Sequence, residues 1–269
     1  MSTTAPSRTG FGELLRRWRT ARGLSQLQLS AETGVSSRHL SFLETGRGRP
    51  SRQIVLFLAE RLEVPLPDRN DLLLAAGFAP AYGSRSLDDP AMAGVRDSIT
   101  HMLAGHEPYP ALVMDGGWNR LLANQGTRVL ITDVAPFLLA EPVNVLRLTL
   151  HPQGMAPRIA NLPEWSEHML LRLRQRINRQ GDEGLAKLHE ELASYPGVRA
   201  PGDHPAEPGQ RVVLPLEYRS DQGVLRFLNT TTSFATPLDA ALSEIFIEAF
   251  YPADETTRRI LAARPLPNW

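Results

Sequence analysis

The sequence contains no cysteine among its 269 residues, and this absence excludes several kinds of chemistry. Disulfide bonds, thiolate metal ligands and cysteine nucleophiles are all ruled out. No stretch of the sequence approaches 18 consecutive apolar residues, so no membrane-spanning helix is predicted. The N-terminal residues also lack the apolar core of a signal peptide. Together these absences predict a soluble cytoplasmic protein with no membrane partner.

Lysine is nearly absent as well, because Lys187 is the only one among 29 basic residues. Arginine suits bidentate contacts with phosphate and guanine, but it is preferred in both halves of the chain, so genome composition explains the preference better than function. The distribution of charge is more informative. Although the formal net charge is zero, residues 1–52 carry nine Arg and three Glu, with no Lys or Asp. A basic segment on a neutral chain indicates that polyanion binding is localised in that segment.

Residues 23–50 of this basic segment hold two short apolar-periodic stretches, each preceded by a serine. Ser25 and Ser36 are predicted N-caps, since a serine oxygen can accept a hydrogen bond from an unpaired N–H of the first helical turn. Gly34 suits the tight turn between two roughly perpendicular helices. The residues after Ser36 are mostly polar and short or basic, so a helix beginning there could place its N-terminal end in a DNA major groove. The pattern predicts a helix-turn-helix.

Helices are predicted on both sides of this motif. Residues 11–22 have the i, i+3, i+4, i+7 apolar spacing of an amphipathic helix. Ser51 can cap a fourth helix, and Pro67 fits the first turn of a fifth helix that ends near Gly77. Residues 11–77 therefore resemble the Cro/C1-type repressor domain of the Xre family, and the resemblance implies a fold of five short helices that binds double-stranded operator DNA.

The resemblance assigns roles by position. It implies that Gln26 contacts phosphate and that Ser37 and Arg38 read bases, with Arg38 forking onto guanine O6 and N7. Phe42 falls at another base-facing position, where it could touch a thymine methyl group or instead pack in the core. The arginines after the recognition helix are expected to reach phosphates or a flanking minor groove. The complete predicted DNA-binding set is Gln26, Ser36, Ser37, Arg38, Ser41, Phe42, Arg47, Arg49 and Arg52. The positions that match a partly buried structural ion pair of the family are Arg19 and Glu44.

The second half of the chain is predicted to be an antiparallel sheet with inserted helices. Two hairpins are indicated by turn residues, Asp115-Gly116-Gly117 in the first and Ser220–Gly223 in the second. The predicted strands are 111–114, 118–123, 212–218, 224–232 and 243–250. The predicted helices are 92–104, 124–131, 144–151, 163–179 and 183–194, and a Pro/Gly-rich surface loop is predicted at 197–210. A sheet of about five strands with helices between its hairpins is a PAS-like plan.

The expected architecture is therefore α+β in two domains. Residues 1–80 form the five-helix helix-turn-helix domain. Residues 81–90 form a linker, because this stretch is rich in the residues that favour turns. Residues 91–269 form the PAS-like domain, which is expected to bind a ligand and to form a homodimer.

Several short motifs in the second domain resemble the ligand-binding domain of MmyB-like transcription regulators. They are Pro110–Asp115, Trp118-Asn119, Asn124, Asn144–Arg147, the helix containing Trp165, and Glu248–Asp254. The resemblance implies an apolar pocket with a fatty acid or another lipid-like molecule as ligand. One departure concerns the DNA-binding domain, where many members carry an arginine-rich insertion between the first two helices. This chain passes directly from Arg22-Gly23 to Ser25, so the operator preferences of those members are not transferred.

The apolar residues that could line such a pocket are Met102, Leu121, Leu146, Trp165, Met169, Phe227, Phe234 and Phe246. For each of them ordinary core packing is the alternative. Arg147 could hold the carboxylate of an acid at the pocket mouth, or it could pair with a surface glutamate.

Enzyme motifs are lacking. His101 and His106 are five residues apart, which does not stack them on one helical face, and the other five histidines have no ligand spacing, so exposed histidines are expected. No Walker lysine, GxSxG or HExxH sequence occurs. We therefore expect no metal, no cofactor and no catalytic residues. The predicted function is a one-component bacterial transcription regulator that senses a small apolar ligand. The alternatives are a regulator controlled by a protein partner and an enzyme fused to an autoregulatory DNA-binding domain.

Overall fold

The computed structural model describes residues 10–83, 86–180, 182–202, 214–234 and 240–263. The chain divides into two compact units. The first comprises the described residues up to Ser86 together with the segment that ends at Ser243, and the second comprises Leu87 to Phe234 and the residues from Glu244 onward. Among the described residues, no helix combines the length and the apolar character needed to cross a membrane.

The first unit contains the five predicted helices. They are α1 (Phe11–Ala21), α2 (Gln26–Thr33), α3 (Ser37–Glu44), α4 (Arg52–Arg61) and α5 (Leu66–Ala75). The predicted caps are confirmed: Ser25 accepts from the Gln28 amide in a capping box, and Ser36 accepts from the His39 amide. Gly34 ends α2 with φ = 72°, a left-handed conformation that glycine adopts without steric cost.

Apolar side chains from all five helices meet in one core. Its large buried side chains include Leu15, Trp18, Leu29, Leu40, Leu43, Leu58, Leu62, Leu72 and Leu73. Helices α1 and α3 approach closely at Gly12, where an added Cβ would run into the backbone carbonyls of Leu43 and Glu44. This close approach fixes the angle at which α3 is presented.

The start of the predicted linker is fastened to α5. The Asn70 side chain accepts from the Ala81 and Tyr82 amides and donates to the Tyr82 carbonyl at 2.8 Å. The Arg69 guanidinium lies 5.9 Å from the Tyr82 ring. Residues 84 and 85 of the predicted linker lie outside the described residues.

The second unit is built on a five-stranded antiparallel sheet of order β2-β1-β5-β4-β3. The strands are β1 (Ala111–Met114), β2 (Arg120–Ala123), β3 (Leu216–Ser220), β4 (Gly223–Ser233) and β5 (Phe246–Pro252). The α-helices from residue 93 onward are α6 (Ala93–Gly105), α7 (Val145–Leu150), α8 (Leu162–Gln180), α9 (Glu183–Ala193), α10 (Ala240–Ser243) and α11 (Glu255–Ala262). Helix α10 belongs to the segment that is grouped with the first unit. The predicted α+β fold, with helices inserted between the hairpins, is confirmed.

Several predicted boundaries were wrong, and three of them were wrong for clear local reasons. The second strand begins at Arg120 rather than at residue 118, because Trp118 has φ = 60° and the Asp115 carboxylate accepts from the Gly117 and Asn119 amides to close the turn. The stretch 124–131 forms a short 3-10 helix, Gln125–Val129. The last strand begins at Phe246, because α10 occupies the residues up to Ser243. Residues 212–213 of the predicted third strand and 203–210 of the predicted loop lie outside the described residues.

The core of this unit lies on one side of the sheet, beneath α7, α8 and α9. Phe227 and Phe250, on neighbouring strands, meet edge to face with ring centroids 6.1 Å apart. The Tyr218 hydroxyl is buried with them and donates to the Leu130 carbonyl at 3.1 Å. The arrangement leaves the turn between β1 and β2 next to the side chains of α8, where a cavity is found.

Candidate nucleic-acid interface and cavity

Helix α3 is anchored on one side and exposed on the other. Leu40 and Leu43 are buried in the core, whereas Ser37, Arg38 and Phe42 are exposed. The Arg38 guanidinium lies 5.4 Å from the Phe42 ring, one helical turn away, within the range of a cation–π contact. Phe42 is 36% exposed, so it is a surface residue and the core-packing alternative is wrong. An arginine and an aromatic ring therefore stand together on the outer face of the second helix of the motif.

A buried ion pair joins α1 to α3, and the start of α2 is bonded to it. Arg19 on α1 donates to both Glu44 oxygens, at 2.6 and 2.9 Å, and to the Leu24 carbonyl at 2.6 Å. Gln26 at the start of α2 donates to Glu44 Oε2 at 2.8 Å. Burial alone would raise the pKa of Glu44, but the hydrogen bonds from Arg19 and Gln26 outweigh it and hold the pKa below its ordinary value. The network fixes the position of Gln26 relative to α3.

Exposed arginines continue this surface beyond α3. Arg47 and Arg49 lie in the turn after the helix, and Arg52 begins α4. No acidic residue occurs between Glu44 and Glu60, so every charged side chain in this stretch is an arginine. Arg52 directs one N–H to the Ala79 carbonyl at 2.7 Å, which sets the direction of its guanidinium. A cationic, exposed stretch beside a helix end is the arrangement that phosphate contacts require.

The second unit holds a cavity of about 150 Å³. It lies between the end of β1, the following turn, one face of α8, and strands β4 and β5. Its lining residues are Met114, Asp115, Gly116, Trp118, Arg172, Gln175, Arg176, Thr231 and Phe246. Two arginines and two aromatic rings thus share a small space.

The two cavity arginines are held by carboxylates. The Arg176 guanidinium lies 5.7 Å from the Trp118 ring and 5.2 Å from the Phe246 ring, and it forms an ion pair with Glu244. Arg172 donates to Thr231 Oγ1 at 3.0 Å and to Glu248 Oε1 at 3.4 Å. Gly116 lies directly against the first pair, since an added Cβ would collide with the Arg176 guanidinium and the Glu244 carboxylate.

The residues predicted to line a pocket are not gathered around one cavity. Leu146, Trp165, Met169 and Phe227 are buried in the packed core between the sheet and its helices. Met102 and Leu121 are surface residues, 52% and 39% exposed. Phe234 lies just after β4 and is not part of the cavity lining, whereas Phe246 is. For Leu146, Trp165, Met169 and Phe227 the structure therefore shows the alternative of ordinary core packing.

Arg147 is paired with a glutamate rather than facing the cavity. It donates to both Glu191 oxygens, at 2.8 and 2.7 Å. The Tyr195 hydroxyl donates to the same carboxylate at 2.5 Å, and burial together with this bond raises the pKa of Tyr195 to about 12. Of the two alternatives for Arg147, the structure shows the pair with a surface glutamate, which ties α7 to α9.

The arginines of the cavity were missed by the sequence analysis, although two signals were present. Arg172 and Arg176 are spaced i, i+4 on the long helix α8, which puts them on one face. Glu248 lies within the apolar strand β5, and a carboxylate at such a position indicates a buried cationic partner. Together these signals would have directed attention to the region where α8 crosses the sheet.

The expectation of exposed histidines was wrong for several positions. His106 is half-buried against Tyr109 and Tyr251, and its Nε2 lies 2.9 Å from the Phe250 carbonyl oxygen. Burial lowers the pKa of both His168 and His189. His204 lies outside the described residues. Within the part of the chain that the structure describes, no cluster of three or more side chains could hold a metal ion.

Comparison with known proteins identifies both parts of the chain. Residues 11–72 match a helix-turn-helix domain, and residues 95–263 match the MmyB-like transcription regulator ligand binding domain. The chain belongs to the MmyB-like transcription regulators. It is a helix-turn-helix regulator with a ligand-binding domain, as the resemblance implied.

One curated relative is similar to the N-terminal part of this MmyB-like regulator. It is the uncharacterized HTH-type transcriptional regulator RghRB of Bacillus subtilis (strain 168), with 40% identity over 73 residues. The match covers 27% of this chain and 50% of the relative, so the chain spans about half the length of that protein.

Proposed function

We propose that this MmyB-like regulator binds operator DNA through residues 1–80 and that a small apolar ligand in residues 91–269 controls the binding. The outer face of α3 is the single observation that carries the DNA-binding part. It presents Arg38 and Phe42 together, while Leu40 and Leu43 hold the opposite face on the core. A recognition helix needs this division between an anchored face and an exposed polar face.

Base readout is assigned to Ser36, Ser37, Arg38, Ser41 and Phe42. The Arg38 guanidinium can donate two parallel hydrogen bonds to guanine O6 and N7. The Phe42 ring beside it offers an apolar surface for a neighbouring thymine methyl group. Backbone contacts are assigned to Gln26, Arg47, Arg49 and Arg52, which position the protein without reading sequence.

We further propose that the regulator acts as a homodimer in the cytoplasm, where its DNA target lies. Two recognition helices related by a two-fold axis would contact half-sites about 34 Å apart on a pseudo-palindromic operator. Selection from a random DNA pool tests this arrangement. Enrichment of an inverted repeat supports it, and enrichment of a single half-site would exclude the dimer.

The ligand is proposed to be an acid with an apolar body, a fatty acid being the class that the family resemblance implies. The match to a ligand-binding domain supports a ligand, and the arginines in the cavity wall support an acid. We propose no enzymatic activity, because the two matched domains are a helix-turn-helix domain and a ligand-binding domain. A ligand can shift the affinity of the protein for DNA only if the ligand binds two conformational states of the protein with different affinities.

Control by a protein partner is the second candidate. It is favoured by the finding that Leu146, Trp165, Met169 and Phe227 are packed as core rather than arranged around a large empty pocket. Mass spectrometry of acid extracted from denatured purified protein distinguishes the two. A bound acid, together with a thermal shift from added decanoate, myristate or stearate, supports ligand sensing. If no acid is extracted and no thermal shift is seen, the fatty acid is excluded and control by a protein partner is left.

A further inference from the structure

The cavity beside α8 is arranged for a carboxylate, and one is already paired with an arginine of its wall. The Arg176 guanidinium lies 5.7 Å from the Trp118 ring and 5.2 Å from the Phe246 ring, and it is paired with Glu244. A guanidinium that packs against aromatic rings can offer its N–H groups to a carboxylate in a bidentate contact. We propose that this cavity is the acid-binding subsite of the second domain, and that the carboxylate of a compact ligand replaces that of Glu244 on Arg176. The proposal rests on the proposed function, because it assumes a domain that senses a small acid.

The charges around the cavity favour replacing one carboxylate by another over adding a further anion. Among the described residues that line the cavity or pair with its lining, two are arginines, Arg172 and Arg176, and three are carboxylates, Asp115, Glu244 and Glu248. A further anion would increase this excess of negative charge. Releasing one carboxylate into water as another enters leaves the balance unchanged. Exchange therefore avoids placing unpaired negative charge in a partly desolvated space.

Glu244 is the carboxylate that can leave. Its side chain is 22% exposed, whereas that of Glu248 is 4% exposed. Glu248 also accepts from Asn229 Nδ2 at 2.7 Å, and Asp115 accepts from two backbone amides of its own turn. These bonds hold Glu248 and Asp115 in place, while Glu244 needs only to turn outward to solvent.

The size of the cavity limits the ligand. A protein cavity of about 150 Å³ lined by apolar side chains accommodates one benzene molecule, and this cavity has the same volume. Its apolar walls are Met114, Trp118 and Phe246. The cavity therefore selects a carboxylate with an apolar body of about one aromatic ring, such as benzoate, over a long-chain acid such as myristate.

Calorimetric titration of the full chain with benzoate, octanoate and myristate tests the proposal. Glu244→Gln removes the internal competitor, so benzoate should bind about tenfold more tightly, a gain that misfolding cannot produce. Arg176→Met should weaken benzoate binding by about 10- to 100-fold, the loss expected for a charge-assisted pair. Gly116→Ala should weaken it, since the added methyl group would displace the ends of the two paired side chains.

Two variants serve as matched controls. Glu190→Gln changes an exposed glutamate on α9, and Gly94→Ala adds a methyl group where nothing lies within 4 Å. Both should bind benzoate as the unaltered chain does. Equal affinities of Glu244→Gln and Glu190→Gln, or undiminished binding by Gly116→Ala, would overturn the proposal.

The titrations also separate this proposal from the proposed function. Tight myristate binding that is unchanged in all variants would place the acid site elsewhere and leave ligand sensing intact. If neither the unaltered chain nor Glu244→Gln binds any of the three acids, the subsite proposal is overturned. Mass spectrometry of the extracted ligand would still decide the proposed function.

Discussion

The ion pair between Arg19 and Glu44 makes a quantitative prediction about the stability of the motif. In Glu44→Gln the side chain keeps its shape but loses its charge, and Arg19 keeps one acceptor oxygen in place of the two that it now binds. The Glu44 side chain is 3% exposed, so water cannot replace the lost bond. We expect a loss of about 2–3 kcal/mol in local stability. This corresponds to about a 30- to 150-fold increase in the opening constant of α1 and α3.

Hydrogen exchange detected by mass spectrometry measures this loss in the full chain. Peptides from residues 11–44 should exchange faster in Glu44→Gln at pH 7, while peptides from the second unit should not change. Glu60→Gln, at an exposed position on α4, is the matched control and should exchange like the unaltered chain.

The effect should depend on pH with a defined sign. Because the pKa of Glu44 is lowered in the folded state, the stabilisation is complete above the unfolded pKa and is lost as the pH falls through the folded pKa. The difference between the unaltered chain and Glu44→Gln should therefore shrink on acidification below the ordinary range of a glutamate. Equal exchange of the two proteins at pH 7, or a difference that stays constant on acidification, would refute this reasoning.

Three other substitutions test the interface and the packing of the motif. Arg38→Ala should reduce discrimination at one guanine by about 1–3 kcal/mol in competition binding; an equal loss on operator and random DNA would exclude base reading by Arg38. Arg49→Ala should weaken binding to all sequences and lower the slope of log affinity against log salt by about one; an unchanged slope would remove Arg49 from the phosphate contacts. Gly12→Ala should lower the melting temperature, because its methyl group would meet the α3 carbonyls of Leu43 and Glu44. The control Gly94→Ala should leave the melting temperature unchanged. Equal melting temperatures of the two variants would show that α1 and α3 are not in close contact.

The helix-turn-helix could be predicted from the sequence because its determinants are local. Ser25, Gly34 and Ser36 each act within three residues, through a cap or a turn, and the structure shows all three in these roles. The hairpins of the second unit are local for the same reason. Their strand ends were less predictable, since Trp118 leaves extended geometry only because Asp115 closes the turn beneath it.

The cavity could not be predicted in this way because it depends on contacts distant in sequence. Arg176 and Glu244 are 68 residues apart, and Arg147 and Glu191 are 44 residues apart. Apolar composition alone could not separate residues that line a cavity from residues that fill a core, and for Trp165 and Phe227 the structure shows core packing. Buried charge in an apolar strand, as at Glu248, was the more informative signal.

The central claim is that ligand occupancy of the second domain controls DNA binding by the first. The most direct measurement is the affinity of the full chain for its selected operator, titrated with and without the acid that the protein retains on purification. Our account predicts a change in operator affinity that Arg176→Met abolishes while its ligand-free affinity for DNA stays the same. An operator affinity that is the same with and without the acid would contradict it.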